Sequence, residues 1–445
     1  MKILLIRPNI GVLVTKRGKD VPFIDKGRME PLQLGVLAGL TKNNWEVCML
    51  DDRLDTINYE MDANLVAITV QIFTARRSYE IATEFRSRGM PVILGGIHVT
   101  LMPDEASRYA DSIIISDAES VWNTVLEDFK NKRLKKRYHG CPGPPQAGTM
   151  VSRAVYGRGK YFPADLMQFG RGCPFMCSFC ATGLYFKESR YCRPVKEVVQ
   201  EVIQNKSKLI FFVDDNIVGD KELAKELMRA LIPLKIKWFG QASLDMTEDV
   251  ELMQLMQLSG CIGLVLGFES VTQLGLTEYK KLTHLERDYK EKIKIIRRHR
   301  IHIWAAFLLG HDEETFESLK ATYDFAWKYK FSFAAFNILM PYPKTEVYQK
   351  LEKERRLLFW GAWWLHPDYR FNHAAYVPKN MTADELTTLV FSMRKRYNSA
   401  YSLIRRLFVW HNLRDFPRLW LLFYTMVIFK VEAIKKQRLR LGMKS

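Results

Sequence analysis

Short apolar runs alternate with stretches of helical periodicity from the first residues onward. Runs at 2–7, 46–51, 65–70, 91–95 and 112–116 read as strands, and the stretches at 32–40, 75–88 and 104–109 read as helices between them. Strand and helix alternating at this spacing predict an open, doubly wound sheet of mostly parallel strands. Ligands of such sheets sit beyond the carboxyl ends of the strands. Here those ends carry Pro8, Asn9, Asp51, Asp52, Thr69, Gly95, Gly96 and residues 116–119.

The pattern breaks after residue 130. Residues 131–160 run through KNKRLKKRYHG and then CPGPPQAG, charge followed by Pro and Gly, which reads as a linker. From 161 to 350 the alternation resumes, with strands expected at 165–170, 209–214, 236–241, 262–268, 301–309 and 333–340 and helices such as 195–205 and 221–231. Six strand–helix units predict a partial or complete parallel barrel with its active site at the carboxyl ends of the strands. Residues 351–445 differ: tryptophans, basic residues and helical periodicity dominate, and strand signals are absent. The expected fold class is therefore α/β, with a doubly wound domain at 1–130, a barrel at 161–350 and a helical carboxyl-terminal region.

Composition narrows the picture. At 445 residues, 48% hydrophobic and 26% charged, the chain has the balance of a folded protein of more than one domain. A formal charge of +18 calls for a negative partner: nucleic acid, an anionic membrane surface or phosphate-bearing ligands. Residues 391–445 hold thirteen Lys or Arg against two acids, so most of the excess lies in a tail and not in a groove spread over the protein. The start, MKILLIRPNI, is strand-like and lacks the cleavage site of a secretory signal. Three of the seven cysteines crowd into eight residues, which in a reducing compartment points to metal and not to disulfides. The expected location is the cytoplasm, with peripheral contact at the inner membrane face.

That crowded segment is Arg171-Gly172-Cys173-Pro174-Phe175-Met176-Cys177-Ser178-Phe179-Cys180, spacing C-x3-C-x2-C directly after the first barrel strand. Three thiolates in one loop can converge on a soft metal centre. Zinc usually takes four protein ligands, or three with a His, and no His lies near this loop in sequence. A [4Fe-4S] cluster held by three cysteines keeps one iron open to a non-protein ligand. Cys48, Cys141, Cys192 and Cys261 show no second metal spacing; Cys48 and Cys261 read as core residues and Cys192 as a bystander.

The loop closely resembles that of radical S-adenosylmethionine (SAM) enzymes, including the aromatic Phe179 before the third Cys. The resemblance implies that the open iron binds the amino and carboxylate groups of SAM and that an electron cleaves SAM to a 5′-deoxyadenosyl radical. It also implies SAM contacts at Phe179, at Asp214 and Asp215 in the acidic turn FVDDN, at Gln241, and at Glu269 and Ser270 in GFES. The plainer reading of Asp214 or Asp215 is a cap on the following helix. The segments LGHDEET (309–315) and PYPKT (341–345) resemble the ends of strands five and six in cobalamin-linked relatives, where they shape the site.

The amino-terminal domain resembles the Rossmann-like cobalamin-binding domain of that subgroup, on the strength of PLQLG (31–35) and GGIH (95–98). The resemblance implies cobalamin contacts at Pro8, Asn9, Thr69, Gly95 and Gly96, the glycines letting backbone approach the nucleotide tail. The D-x-H-x-x-G motif whose His ligates cobalt is absent, and Asp51-Asp52-Arg53-Leu54 stands in its place. Either the corrinoid binds without that ligand or the fold keeps an empty or repurposed pocket. His98 is a second potential ligand, set against a structural role.

The resemblance implies a cobalamin-dependent enzyme that methylates an unactivated carbon or phosphorus of a small or lipid-like substrate, with a reducing partner such as flavodoxin or ferredoxin. Ring formation or carbon–carbon coupling without methyl transfer is the enzymatic alternative. An iron–sulfur redox sensor or nucleic-acid binder is the rival of another class, but no fourth cluster Cys and no nucleic-acid module is seen. In the carboxyl-terminal region, Trp360, Trp363, Trp364, His366 and His373 either line a substrate pocket or pack. The apolar run 419–429, flanked by Arg414, Arg418, Lys430, Lys435, Lys436, Arg438 and Arg440, is too short to span a bilayer. It either lies in an anionic membrane interface or packs on the barrel.

Overall fold

The computed structural model describes residues 1–14, 20–22, 29–143, 149–157, 159–186, 190–280, 289–408, 423, 426–427, 430 and 435–443. The chain forms two units. The first takes Met1–Pro163, Phe359–Phe371 and Arg438–Ser445, and the second takes Ala164–Leu358 and Asn372–Gln437.

The first unit contains Lys2–Arg7 (β1), Gly11–Val14 (β2), Asp20–Pro22 (β3), Glu46–Asp51 (β4), Leu65–Thr69 (β5), Val92–Gly95 (β6), Ser112–Ile115 (β7) and Arg137–His139 (β8). Six of them make a parallel sheet in the order β4-β1-β5-β6-β7-β8. Ile3, Leu4, Leu5 and Ile6 are all buried, so β1 is covered on both faces, as the unbroken apolar run requires. Ile3 and Leu5 join Leu34 and Ala38 of the helix Leu32–Leu40 and Val125 and Leu126 of the helix Trp122–Lys130 in one core. Each buried Ile, Leu or Val side chain among them contributes about 1.5–3 kcal/mol by leaving water. β8 lies within the stretch that reads as a linker; its three residues bury only Tyr138, too little apolar pattern to register as a strand.

The second unit contains Asp165–Met167 (β9), Gly170–Arg171 (β10), Tyr191–Cys192 (β11), Leu209–Phe212 (β12), Lys237–Ala242 (β13), Cys261–Glu269 (β14), His302–Leu309 (β15) and Phe333–Ile338 (β16). Six run parallel in the order β16-β15-β14-β13-β12-β9, each beside its neighbour in sequence, which is a partial six-unit barrel. β10 and β11 form a separate antiparallel pair. The helices Val195–Asn205 and Lys221–Leu231 fall where their periodicity places them, the second capped by the Asp220 carboxylate on the Leu223 N–H. β9 and β12 end three and two residues short of the apolar pattern. Beyond them the N–H groups of Phe169 and Gly170 leave the ladder for the Asp214 carboxylate.

The carboxyl-terminal region supplies the helices Ala383–Tyr397 and Ala400–Leu407, the first opened by a reciprocal Thr382–Glu385 capping box. It also supplies a strand, Leu439–Leu441 (β17), against the expectation of none. β17 pairs antiparallel with β2, whose other edge takes β3, and Leu439 and Leu441 are buried. Arg440 thus belongs to a strand and not to a loose basic tail, and the Arg438 carbonyl just before it accepts the Val14 N–H. Local pattern hides this, because a three-residue strand is specified by a partner far away in sequence.

Candidate active site

The cysteine loop leaves β9 and is rooted by β10, with Gly170 paired to Cys192 and Arg171 to Tyr191. Gly172 has φ +86°, a conformation glycine adopts freely, and turns the chain into Cys173. The loop is fastened at both ends. At its start the Gly172 N–H donates to the Asp215 carboxylate at 2.9 Å, and the Thr182 hydroxyl reaches the same carboxylate at 3.2 Å. At its far end Ser178 is buried: its N–H donates to the Tyr279 carbonyl and its hydroxyl to the Glu278 carbonyl, while its own carbonyl accepts from the Val347 N–H. Phe179 packs its ring edge-on to Tyr279, with centroids 5.3 Å apart.

Asp214 is wholly buried. Its carboxylate accepts the N–H groups of Phe169 and Gly170, and its carbonyl accepts from the Gln241 side chain at 3.3 Å. These bonds draw together the carboxyl ends of β9, β12 and β13. Burial pushes the carboxyl up to about 7; the two N–H donors oppose this and the nearby Asp215 adds to it. Asp215 is exposed beside it, so the two acids of one turn have different environments and different work. Glu269 ends β14 at a break in its register with β15 and holds φ +60°. A non-glycine residue held there stores roughly 1 kcal/mol or more, as residues at functional sites often do. Ser270 is buried and its hydroxyl is engaged with Thr272, the cap of the following helix, at 3.0 Å.

Three residues near the loop escaped the sequence reading. Ser178 sits inside the motif, but its role depends on partners about a hundred positions away. Asn216 follows the two acids; its amide donates to the Ser243 hydroxyl at 3.0 Å and lies 4.0 Å from the Cys173 sulfur, while its Oδ1 is buried without a partner among the described residues. Tyr342 in the PYPKT segment is half-buried, and loss of water around its hydroxyl followed by the Cys180 charge pushes it up to about 12. The Cys192 thiol, near the root of the loop, is pushed up to about 11 by burial and by Asp214, so it stays protonated and is no ready ligand.

Among the described residues, no three His, Cys, Asp or Glu side chains lie close enough together to hold one metal ion. A cluster asks for a different arrangement, thiolates that each take a separate iron. The donor set fits a cluster: three half-buried thiols on one loop, an amide beside the first and carboxylates behind the backbone.

In the first unit the residues expected to meet a corrinoid divide in two. Thr69 and Gly95 are paired at the ends of β5 and β6, and a side chain at Gly95 would meet only Ile114 within 4 Å, which leaves backbone open to approach. Gly96 has φ +113°, and a Cβ there would lie 2.7 Å from the Val70 carbonyl oxygen. Pro8 and Asn9 instead turn inward. Asn9 donates its N–H to Asp52 at 3.0 Å, and the Asp52 carboxylate also takes two hydrogen bonds from buried Arg77. His98 is wholly buried: Nε2 lies 2.8 Å from Glu105 and Nδ1 has no partner among the described residues. Glu105 also accepts from Tyr79 and from the Trp364 indole. A ring closed off in this way serves packing. The open backbone at Gly95 fits the approach of a corrinoid, and His98 is not placed to ligate its cobalt.

Trp363 and Trp364 are buried in the first unit, Trp363 5.2 Å from Phe73, and Trp360 is exposed beside His366. His373 belongs to the second unit and lies edge-on to Phe391. Burial of Trp363 and Trp364 accords with the packing reading for those two. Of the tail, Arg414, Arg418 and most of 419–429 lie outside the described residues; Met426 is buried against Leu403 and Leu407. No helix among the described residues is long and apolar enough to cross a membrane.

The profile of the Radical SAM superfamily matches residues 167–326. The bacteriochlorophyllide d C-8(2)-methyltransferase of Chlorobaculum tepidum is 31% identical over 353 residues, covering 73% of this chain and 77% of that protein. The C-12(1)-methyltransferase of the same organism is 26% identical over 411 residues, covering 89% of each. Among solved structures, the radical SAM methyltransferase TsrM from Kitasatospora setae, with cobalamin and a [4Fe-4S] cluster bound, superposes with a TM-score of 0.65 at 15% identity. That superposition covers 88% of this chain and 90% of TsrM, and at such identity it speaks to the fold.

Proposed function

The chain belongs to the radical SAM superfamily, in the group with a cobalamin-binding-type domain ahead of the barrel, and we propose that it methylates an unactivated carbon of a small, lipophilic, ring-bearing molecule. The observation that carries this reading is the Cys173–Cys177–Cys180 loop at the carboxyl end of a parallel barrel, held by Asp215 and Ser178. When bound, a [4Fe-4S] cluster, SAM and a corrinoid supply the radical and the methyl group. The chain's own residues bind and orient. Cys173, Cys177 and Cys180 would hold the cluster, three ligands that leave an iron open to SAM. Exposed Asp215 and strained Glu269 offer carboxylates to the ammonium and ribose of SAM, with Gln241 between them in strand order and Phe179 closing the loop. Buried Asp214 and Ser270 support these groups from behind. Thr69, Gly95 and Gly96 present backbone to the corrinoid, while Pro8 and Asn9 shape the end of β1.

The substrate class follows the similar enzymes, which are named for methylating bacteriochlorophyllide d at carbon. Electrons come from a small reducing partner such as flavodoxin or ferredoxin, and the basic carboxyl-terminal region makes a peripheral contact with an anionic membrane. Anaerobic protein given SAM and reductant should release 5′-deoxyadenosine, and with an accepted substrate it should give a product one methyl group heavier. Changing Cys173, Cys177 or Cys180 to Ala should remove most iron and the brown absorbance. Full iron retention in any of the three, or no 5′-deoxyadenosine from wild type, would overturn the reading. A product with no added carbon would assign ring formation instead.

A further inference from the structure

We propose that the helix Ala400–Leu407 and the face beside it form a docking surface for an anionic lipid bilayer, at the end of the barrel opposite the cysteine loop. The inference deepens the peripheral membrane contact proposed above and rests on that reading, but it centres the contact on the helix Ala400–Leu407 and takes from the run 419–429 only Phe423 and Val427.

The helix is two-sided. Leu403, Arg406 and Leu407 are buried, whereas Tyr401, Ile404 and Phe408 are 70%, 56% and 66% exposed. Spacings of three and four put the exposed trio on one face. Met426 packs on the buried side, and its neighbours Phe423 and Val427 are exposed as well. On the other flank the Tyr401 ring lies 6.1 Å from Trp327. An exposed apolar helix face of this kind normally marks an interaction site.

The position follows from the hydrogen bonds of the preceding helix, Ala383–Tyr397. Arg394 donates to the Phe336 carbonyl and, three residues on, Tyr397 donates to the Phe331 carbonyl, so that helix descends toward the amino end of β16. Arg406 caps the Ser332 carbonyl at that end. The cysteine loop leaves the carboxyl end of β9, and the strands are parallel, so a strand length of about 20 Å separates the two.

Charge selects the occupant. Arg405 stacks on Trp327 at 4.5 Å and Arg396 on Tyr323 at 5.0 Å, with exposed Lys328 alongside. The chain carries +18 overall. A second copy would bring like charges together. A nucleic acid would leave Ile404, Phe408 and Val427 without apolar partners, and Arg405 and Arg406 already spend donors on backbone carbonyls. An anionic bilayer matches both parts: aromatic and aliphatic side chains at the interface, cations toward headgroups.

The test is sedimentation of full-length, cluster-loaded protein with vesicles of phosphatidylcholine alone and of phosphatidylcholine mixed with phosphatidylglycerol, without substrate. Wild type should bind the mixed vesicles and bind less as salt rises. The triple variant Tyr401→Ser, Ile404→Ser, Phe408→Ser should bind about tenfold or more weakly, with iron content and 5′-deoxyadenosine release unchanged. The variant Lys328→Glu, Arg396→Glu should lose the preference for phosphatidylglycerol. Equal binding by the triple variant and wild type, or no binding of wild type to mixed vesicles, would overturn the proposal. So would a dimer of wild type that the triple variant dissolves, which would give the face to a second copy, or tighter binding to RNA than to vesicles. Because 5′-deoxyadenosine is measured separately, a failed vesicle assay leaves the enzymatic reading standing, and a failed enzymatic assay leaves the docking result readable.

Discussion

Backbone N–H groups, those of Phe169 and Gly170 foremost, offset the burial of Asp214 only in part, and its carboxyl is pushed up to about 7. An acid whose folded value lies above its unfolded one, about 3.9, favours the folded state while protonated. That contribution is full below pH 4 and is lost as pH rises through about 7; its ceiling is about 4 kcal/mol at 1.36 kcal/mol per unit. Cluster-free wild type should therefore unfold at progressively lower urea between pH 5 and 8, and Asp214→Asn should flatten that slope. A wild-type midpoint independent of pH would refute the assignment. Asn216 acts on the Cys173 sulfur. An N–H directed at a thiolate stabilises the more negative, reduced cluster, so Asn216→Leu should lower the reduction potential, measured by redox titration of the electron paramagnetic resonance signal, with iron content retained. Neither effect is legible in FVDDN as a string. The residues that could bear chemistry are visible there; which of two adjacent acids is buried depends on how β9, β12 and β13 end together.

At the scale of elements, strands buried on both faces announced themselves and strands defined by their partners did not. β1 and β5 appear as apolar runs within a residue of their observed ends because their side chains have nowhere polar to face, and β4, an edge strand only partly buried, is marked by the apolar run 47–50. β8, β2 and β17 are short and take their form from a neighbour's open edge. The turn from β6 into the helix Ile97–Leu101 lies between these cases. Its two glycines are plain in the sequence, but the network that follows is not: His98, Tyr79 and Trp364 converge on Glu105 from three separate segments. Burial pushes the Glu105 carboxyl up, and the hydrogen bond and charge of His98, with Tyr79 and Trp364, outweigh it and hold it below the usual range. His98→Ala leaves that carboxylate short of a partner and should destabilise the protein by about 2 kcal/mol. It should leave the cobalt spectrum of the corrinoid-loaded protein unchanged. A changed spectrum would make His98 a ligand.

For the molecule as a whole, the count of charges pointed toward the carboxyl-terminal region but not to its division of labour. Arg394 and Arg406 are buried against backbone carbonyls, Arg405 and Arg396 lie on aromatic rings, and Arg440 belongs to β17. The excess is part structural and part surface, which composition alone does not separate. Truncation after Asn412 accordingly does more than remove a tail. It takes away Met426, packed on Leu403 and Leu407, and the buried Leu439 and Leu441. The truncated protein should melt lower and aggregate sooner in a thermal scan, whereas the triple serine variant should melt like wild type; equal melting of the truncated and full chains would show these contacts to be dispensable. The same strand bears on how the protein is made. β17 is synthesised more than four hundred residues after β2, which at about 5–20 residues per second is a wait on the order of a minute. Until then the nascent chain holds out an unpaired backbone edge on β2, the kind of edge that recruits other chains. The ribosome-bound intermediate is thus the species most exposed to aggregation, and soluble yield should respond more to what shields that edge during translation than to the stability of the finished enzyme.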